Sequence, residues 1–330
     1  MLLLIFNKFN SLFLISIIMF FFIMLNSTSI YIQWLSMEFS TILMISMINI
    51  KSNNKIVSIL YFMMSSISSL LIIIFITLNY SQLYFIKNYD LNNILMISMF
   101  LKIGIFPFCF WMIKIYLLSS WKQIFIISTF MKFIPIYFFS SIMYFSSTMM
   151  TIMLLNNIFL SLYTNLNFSI KKMFGCSSVF NSLFFFYILQ INKNYFFLFM
   201  FIYLTLFFMI TFMLEFYNIY NQNFKNFSSK AYIIFITLTF MYSMFPLFMT
   251  FLFKWEFIIL FNSIYSNNLI ILLLLLSMMM LWNYFTLLKT LMLKFNFYKN
   301  IMKIEILSMK MLIPTIIFFY SMTFLIFNLI

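Results

Sequence analysis

Long apolar runs, separated by short clusters of Asn, Ser and Lys, fill almost the whole chain. A membrane-spanning helix needs about 20 apolar residues to cross about 30 Å of hydrocarbon. This criterion predicts eleven spans, which lie at residues 9–25, 30–50, 56–78, 92–113, 123–146, 149–168, 174–190, 195–217, 231–261, 269–292 and 311–330. The runs are continuous rather than alternating, which is typical of spanning helices and not of a β-barrel. We therefore predict an all-α polytopic membrane protein.

The composition of the 330-residue chain excludes most other classes of protein. It is 65% hydrophobic and 7% charged, whereas soluble domains carry about 25% charged residues. The net charge of +14 comes from lysines that are spread too thinly for a nucleic-acid interface. With no His, five acidic residues and two Gly, the chain lacks the side chains for a metal cluster, a catalytic triad or a phosphate-binding loop. Cys109 and Cys176 lie in apolar runs, which argues against a disulfide framework.

The lysines are concentrated on one side of the predicted topology. The N-terminus and the connections after the even-numbered spans, counted together with Lys289 near the end of the tenth span, hold fourteen of the nineteen lysines, whereas the opposite side holds Lys87 and Lys193. Because positively charged connections stay in the compartment of synthesis, this asymmetry supports the count of eleven spans. It predicts an N-terminus on the side of synthesis and a C-terminus on the other side.

The amino-acid bias indicates where the chain is made. Phe occurs 52 times and Met 31 times, whereas Ala231 is the single alanine and arginine is absent. This bias is typical of a very A+T-rich gene, and the many methionines fit a genetic code that reads ATA as Met, as animal mitochondria do. We find no signal or transit peptide ahead of the first span and expect none for a protein made inside the organelle.

Of the charged residues inside the predicted spans, four are informative because of where they lie: Glu38, Lys102, Lys132 and Lys254. A charge at the centre of a membrane helix costs roughly 2.5–3.5 kcal/mol on insertion scales. A lysine near a helix end can instead extend its ammonium group to the interface, but Lys102 lies about 15 Å from either end of its span. Buried charges of this kind normally mark an ion or proton pathway.

Three of the four prolines accompany the three buried lysines along the chain. Pro107 follows Lys102, Pro135 follows Lys132, and Pro246 precedes Lys254. A proline inside a helix removes one backbone hydrogen bond and frees a carbonyl group, so we predict helix breaks at these three prolines. The predicted span 231–261 would be about 46 Å long as one continuous helix, which also favours a break near Pro246.

The first ten spans divide into two groups of five, each with one Lys beside one Pro in its fourth span. Because each group has an odd number of spans, the two groups insert with opposite topologies. Inverted repeats with broken helices are typical of ion transporters. We therefore predict antiporter-like inverted repeats with two broken helices: a first half at 1–146, an inverted second half at 147–292, and a loop with a final helix at 293–330.

Five blocks of residues, in chain order, carry a family resemblance. They are WLSME at 34–38, KIGIFPFCFW at 102–111, TFMKFIP at 129–135, IKKMFGCSSV at 170–179 and PLFMTFLFKW at 246–255. The set resembles the motifs of subunit 2 of mitochondrial NADH–ubiquinone oxidoreductase, respiratory complex I, and covers about two-thirds of the chain. The chain departs from the family at Cys109 and Asn181, where the motifs have histidine, and at Thr250 and Phe253, where they have glycine and proline.

The resemblance implies a proton-translocating subunit in the membrane arm of this complex. It places the chain in the mitochondrial inner membrane, with the N-terminus in the matrix and the C-terminus in the intermembrane space. Glu38, Lys102, Lys132 and Lys254 are the expected proton carriers, and we hypothesise that Glu38 pairs with Lys102 in one state. The chain itself is expected to bind no cofactor, because NADH, FMN, iron–sulfur clusters and ubiquinone belong to other subunits. The expected partners are other membrane-arm subunits and phospholipids, without nucleic acid.

Two other functions stay open on the sequence alone. A free-standing ion transporter would share the inverted-repeat organisation, and it would be active when purified alone. A structural subunit with a decayed proton path would explain the lost histidines. Such a chain has no reason, however, to retain Glu38 and three buried lysines, given what those charges cost in a membrane.

Overall fold

The computed structural model describes residues 8–51, 55–80, 88–143, 147–166, 169–219, 229–243, 251, 255, 258–259 and 267–296. Over these residues the chain is helical and forms no strand. The helices, in chain order, are α1 (Lys8–Asn26), α2 (Ile30–Lys51), α3 (Ile56–Tyr80), α4 (Asn88–Ile103), α5 (Cys109–Leu118), α6 (Trp121–Ser128), α7 (Phe130–Ile142), α8 (Ser147–Asn165), α9 (Ile170–Ile191), α10 (Lys193–Phe216), α11 (Ser229–Tyr242) and α12 (Asn267–Asn296).

Six described segments are long and apolar enough to cross a membrane. They are Ile30–Asn49, Ile56–Asn79, Trp121–Ile142, Ile170–Ile191, Lys193–Phe216 and Ile271–Lys289. Shorter apolar helices occupy Leu12–Asn26, Leu91–Ile103, Cys109–Leu118 and Ala231–Tyr242. The predicted all-helical membrane fold is therefore confirmed. The count of eleven spans stays a prediction, because 311–330 and much of 231–261 lie outside the described residues.

The surface of α3 shows why these helices require a membrane. Ile59, Phe62, Met63 and Leu70 are all more than half exposed. A row of large apolar side chains of this kind is unfavourable in water but suits contact with lipid or with another membrane protein. The segments Trp121–Ile142 and Ile170–Ile191 are the most buried of the six candidate spans.

The chain forms two compact units. The first comprises Met1–Phe159 and Phe174–Gln190, and in it α7 packs against α1, α2 and α4, while α3 packs against α5. The second comprises Leu160–Met173 and Ile191–Ile330, and in it α11 packs against α10 and α12. These units are defined by compactness, whereas the sequence predicts a division into inverted repeats. That division, into 1–146, 147–292 and 293–330, stays a prediction.

The predicted span 92–113 is interrupted at residues 104–108, the stretch that contains Pro107. Gly104 ends α4 with a positive φ of 76°, and its N–H and that of Ile105 both donate to the Phe100 carbonyl at 2.9 Å. Helices commonly end in this way because glycine enters the left-handed region without a steric penalty. A Cβ atom at Gly104 would lie 2.7 Å from Cβ of Met112. The position therefore requires glycine for both its φ and its space.

The second interruption lies at Thr129, and the prediction of a break at Pro135 was wrong. Helix α7 runs through Pro135, whereas Thr129 separates α6 from α7 with φ −109° and ψ −92°. The Thr129 hydroxyl donates to the Phe125 carbonyl at 2.6 Å, and the Thr129 carbonyl accepts from Lys132 N and Phe133 N. A threonine that bonds its own helix in this way competes with the backbone and bends the helix.

We predict that Gly104→Ala destabilises the first unit by about 2 kcal/mol or more, because alanine meets both the left-handed penalty and the side chain of Met112. Thermal unfolding of the protein in detergent measures the effect. Ser98→Ala is the matched control on α4: Ser98 is fully buried, and its hydroxyl donates only to the carbonyl of Leu95 on the same helix (2.7 Å). Equal midpoints for the two variants would contradict the role assigned to Gly104.

Candidate functional site

Lys102 lies in the last turn of α4, immediately before the first interruption. The carbonyl groups at a helix C-terminus carry partial negative charge and stabilise a cation there. The side chain is buried, with 6% of the residue exposed. The early end of α4 at Gly104 therefore places a lysine at a helix terminus inside the protein, where its ammonium group interacts favourably with the backbone.

Glu38 of α2 supplies the counter-charge of Lys102. Lys102 Nζ donates to Glu38 Oε1 at 2.7 Å, a short charge-assisted hydrogen bond. The Thr41 hydroxyl lies 3.5 Å from Glu38 Oε2. The side chain of Glu38 is 20% exposed and that of Lys102 only 3%, so the lysine is the more deeply buried partner. The pairing hypothesised from the sequence is thus present, across 64 residues of chain.

Asn156 of α8 stabilises the interruption that follows Lys102. Its Oδ1 accepts a hydrogen bond from the backbone N–H of Phe106 at 3.0 Å, and the asparagine is fully buried. A backbone N–H that leaves a helix inside a protein needs such an acceptor, because an unpaired buried donor is costly. Sequence reasoning missed Asn156. The signal was the adjacent pair of amides, Asn156 and Asn157, near the middle of a predicted span.

Lys132 occupies a second buried position, on α7. The residue is 2% exposed, and its Nζ donates to Ser178 Oγ of α9 at 2.9 Å. The same Nζ lies 5.8 Å from the centre of the Tyr116 ring. No acidic residue in the described part of the chain forms an ion pair with Lys132, and its amino group instead lies beside a serine hydroxyl and an aromatic ring. Ser178 lies in a block that the sequence had marked by resemblance, but no local pattern indicated Tyr116.

The remaining predicted site residues fall in two groups. Pro107 lies within the interruption at 104–108, and Pro135 lies inside α7, three residues after Lys132. Lys254 and Pro246 lie outside the described residues. The structure therefore brings Glu38 and Lys102 together and buries Lys132.

Lys172 is a buried cation that the sequence placed in a connection. Helix α9 begins at Ile170, and Lys172 is 6% exposed. Its Nζ donates to the carbonyl of Leu166 and lies 3.8 Å from the centre of the Tyr163 ring. A carbonyl at the end of α8 and an aromatic face together stabilise the ammonium within the second unit.

The described residues contain no group of three His, Cys, Asp or Glu side chains that could hold a metal ion. Cys109 and Cys176 are buried and are not joined in a disulfide. The polar groups of the first unit, by contrast, form acid–base contacts between lysine, carboxylate and hydroxyl. Such contacts can hold and pass protons.

The chain is similar to curated proteins of one kind. It is 41% identical to NADH-ubiquinone oxidoreductase chain 2 of Apis mellifera ligustica over 289 residues, which is 87% of this chain and 87% of that protein. The protein of the same description from Locusta migratoria is 26% identical over 80% of this chain and 78% of its own length. The one from Mus musculus is 26% identical over 48% of each. No family model matches.

A solved structure shares the fold. The chain is similar to a chain of respiratory complex I from Thermus thermophilus, with a TM-score of 0.69 and 12% sequence identity. The similarity covers 80% of this chain and 66% of the solved chain, so this chain spans just under two thirds of that length.

We predict that Glu38→Gln destabilises the first unit by about 2 kcal/mol, because it leaves Lys102 buried without its counter-charge while Glu38 itself is partly exposed. The double variant Glu38→Gln, Lys102→Met removes both charges and should recover most of this loss. Thermal unfolding of the parent protein, of Glu38→Gln, of Lys102→Met and of the double variant measures the coupling. A double variant that is less stable than Glu38→Gln alone would mean that the pair does not stabilise the fold.

Proposed function

Because this chain belongs to the NADH-ubiquinone oxidoreductase chain 2 family, we propose that it translocates protons as a membrane-arm subunit of respiratory complex I. The chain is a subunit of the NADH:ubiquinone oxidoreductase complex, and the redox reaction takes place in other subunits. Its own contribution is the movement of protons through Glu38, Lys102, Lys132 and Lys254. It binds no electron carrier in this proposal; NADH, FMN, the iron–sulfur clusters and ubiquinone are bound elsewhere in the complex.

The ion pair between Lys102 and Glu38 is the observation that carries this proposal. An ammonium group in an apolar bundle is stable when a carboxylate lies 2.7 Å away. The interaction weakens steeply as the two charges separate in a medium of low dielectric constant. A conformational change that separates the pair therefore removes the charge that holds the proton on Lys102. The proton then passes toward Lys132 and Lys254.

The energy for this change comes from outside the chain. Moving one charge across the membrane against the potential requires about 2.3 kcal/mol per 100 mV. The chain holds no redox group in this proposal, so the neighbouring subunits of the complex must impose the conformational change. The partners are accordingly other membrane-arm subunits, with phospholipids around the exposed apolar faces.

We propose a multi-pass topology in the mitochondrial inner membrane, with the N-terminus in the matrix and the C-terminus in the intermembrane space. The asymmetric distribution of lysines supports it. An antibody against the last residues of the chain should bind mitoplasts whose inner membrane is intact, and an antibody against the first residues should bind only after that membrane is opened. The reverse pattern would contradict this orientation, and binding of both antibodies on the same side of the membrane would contradict an odd number of spans.

We predict that Lys102→Met and Lys132→Met each lower the number of protons translocated per NADH oxidised, because each removes a proton carrier. Proton uptake and NADH oxidation by the complex in liposomes measure the ratio. Lys114→Met is the matched control, since Lys114 is an exposed lysine on α5 and its loss changes the net charge equally. An unchanged ratio in both Lys102→Met and Lys132→Met would refute the proposed function.

A further inference from the structure

Two hydroxyl groups connect Lys132 to α5, the helix that follows the interruption at residues 104–108. Lys132 Nζ donates to Ser178 Oγ at 2.9 Å, and Ser178 Oγ lies 2.8 Å from the hydroxyl oxygen of Tyr116. Each of the three residues is at most 2% exposed. They form an unbroken chain of hydrogen bonds from an ammonium group on α7, through α9, to a phenol on α5.

The hydroxyl of Ser178 can take two orientations. Its oxygen lies 2.7 Å from the carbonyl oxygen of Gly175 and 2.8 Å from the oxygen of Tyr116. A hydroxyl group has one proton and two lone pairs. Ser178 can therefore donate to Tyr116, or it can donate to Gly175 while Tyr116 donates to it. Turning this one proton reverses the direction of the hydrogen bond between Ser178 and Tyr116.

Close backbone packing holds Tyr116 at this place. A Cβ atom on Gly175 would lie 3.2 Å from Cγ of Tyr116, so the tyrosine ring packs directly on the backbone of α9. Tyr116 is on α5, the helix that continues the predicted span 92–113 beyond the interruption after Lys102. The phenol that meets Ser178 is therefore carried by the helix that begins after the interruption.

We propose that Ser178 and Tyr116 relay the proton of Lys132, a role that rests on the proton translocation proposed above. In the forward step, one N–H bond of the Lys132 ammonium breaks as its proton binds Ser178 Oγ. The hydroxyl proton of Ser178 passes to the oxygen of Tyr116, and the phenolic proton of Tyr116 passes to a water molecule. Lys132 becomes a neutral amine, both hydroxyls are regenerated, and the water carries the positive charge.

The reverse step restores the ammonium by the same bonds. A protonated water gives its proton to Tyr116, Tyr116 gives its own to Ser178, and Ser178 gives its own to the lone pair of Lys132 Nζ. No acidic residue in the described ranges pairs with Lys132. Among the described residues, the hydroxyls of Ser178 and Tyr116 form the hydrogen bonds that lead away from Lys132 Nζ. The chain contains no histidine that could take this role.

Removal of single hydroxyl groups in the intact complex tests the relay. Tyr116→Phe and Ser178→Ala, made separately and together, are reconstituted in liposomes, and proton translocation is measured per assembled complex. We expect each variant to translocate protons roughly tenfold more slowly, since each breaks one hydrogen bond of the chain. The double variant should be no slower than either single variant, because all three interrupt the same relay.

Two further variants separate a relay from a purely structural role. Ser182→Ala removes another buried hydroxyl of α9, one that donates to the Val179 carbonyl of its own helix at 2.6 Å, and should leave translocation unchanged. Ser178→Thr retains the Oγ atom and should restore most of the rate lost in Ser178→Ala.

The outcomes also distinguish this inference from the proposed function. Parental translocation in both Tyr116→Phe and Ser178→Ala, with translocation lost in Lys132→Met, would overturn the relay and leave Lys132 as a carrier. Parental translocation in Lys132→Met would overturn the relay together with the role of Lys132, and parental translocation in Lys102→Met as well would overturn the proposed function itself.

Discussion

The burial of ammonium groups in an apolar bundle is the constraint on which the rest of this structure depends. Removing an ion from water is costly, and a buried ion pair recovers that cost only with good geometry and additional hydrogen bonds. Lys102 meets this requirement with a carboxylate at 2.7 Å and with its place at a helix C-terminus. The pair joins α2 to α4, so the same contact that stabilises the fold also makes the fold sensitive to the charge state of one lysine.

The interruption after α4 helps to meet this constraint. At Gly104 the end of α4 brings its last carbonyl groups to Lys102, and Asn156 accepts the N–H of Phe106 that the interruption releases. The surroundings of Lys132 differ, because its Nζ donates to a serine hydroxyl where Lys102 Nζ donates to a carboxylate. One lysine is thus held by a charge and the other by neutral groups. In the proposed function, a proton held on Lys102 while the pair is closed would move to this chemically different site when the pair opens.

The sequence predicted those features that depend on hydropathy and on the cost of buried charge. Apolar runs gave the membrane helices, and the acidic and basic residues inside them gave the pair between Glu38 and Lys102. Tertiary geometry decided the rest. The second interruption lies at Thr129, whose hydroxyl competes for the Phe125 carbonyl. The sequence pattern had indicated Pro135 instead, because a proline is the more familiar cause of a helix break. Tyr116 and Ser178 meet across 62 residues, which no periodicity reveals. Lys172 lies inside α9 because a carbonyl and an aromatic ring stabilise it there.

A density map of the assembled complex that resolves water molecules tests the central claim most directly, namely that these buried groups exchange protons through a hydrated interior. We expect ordered waters within hydrogen-bonding distance of Lys102 and of the Tyr116 hydroxyl, connected to one another through the interior of the first unit. Lysine side chains in a dry, lipid-facing setting, or extended to the headgroups, would contradict it.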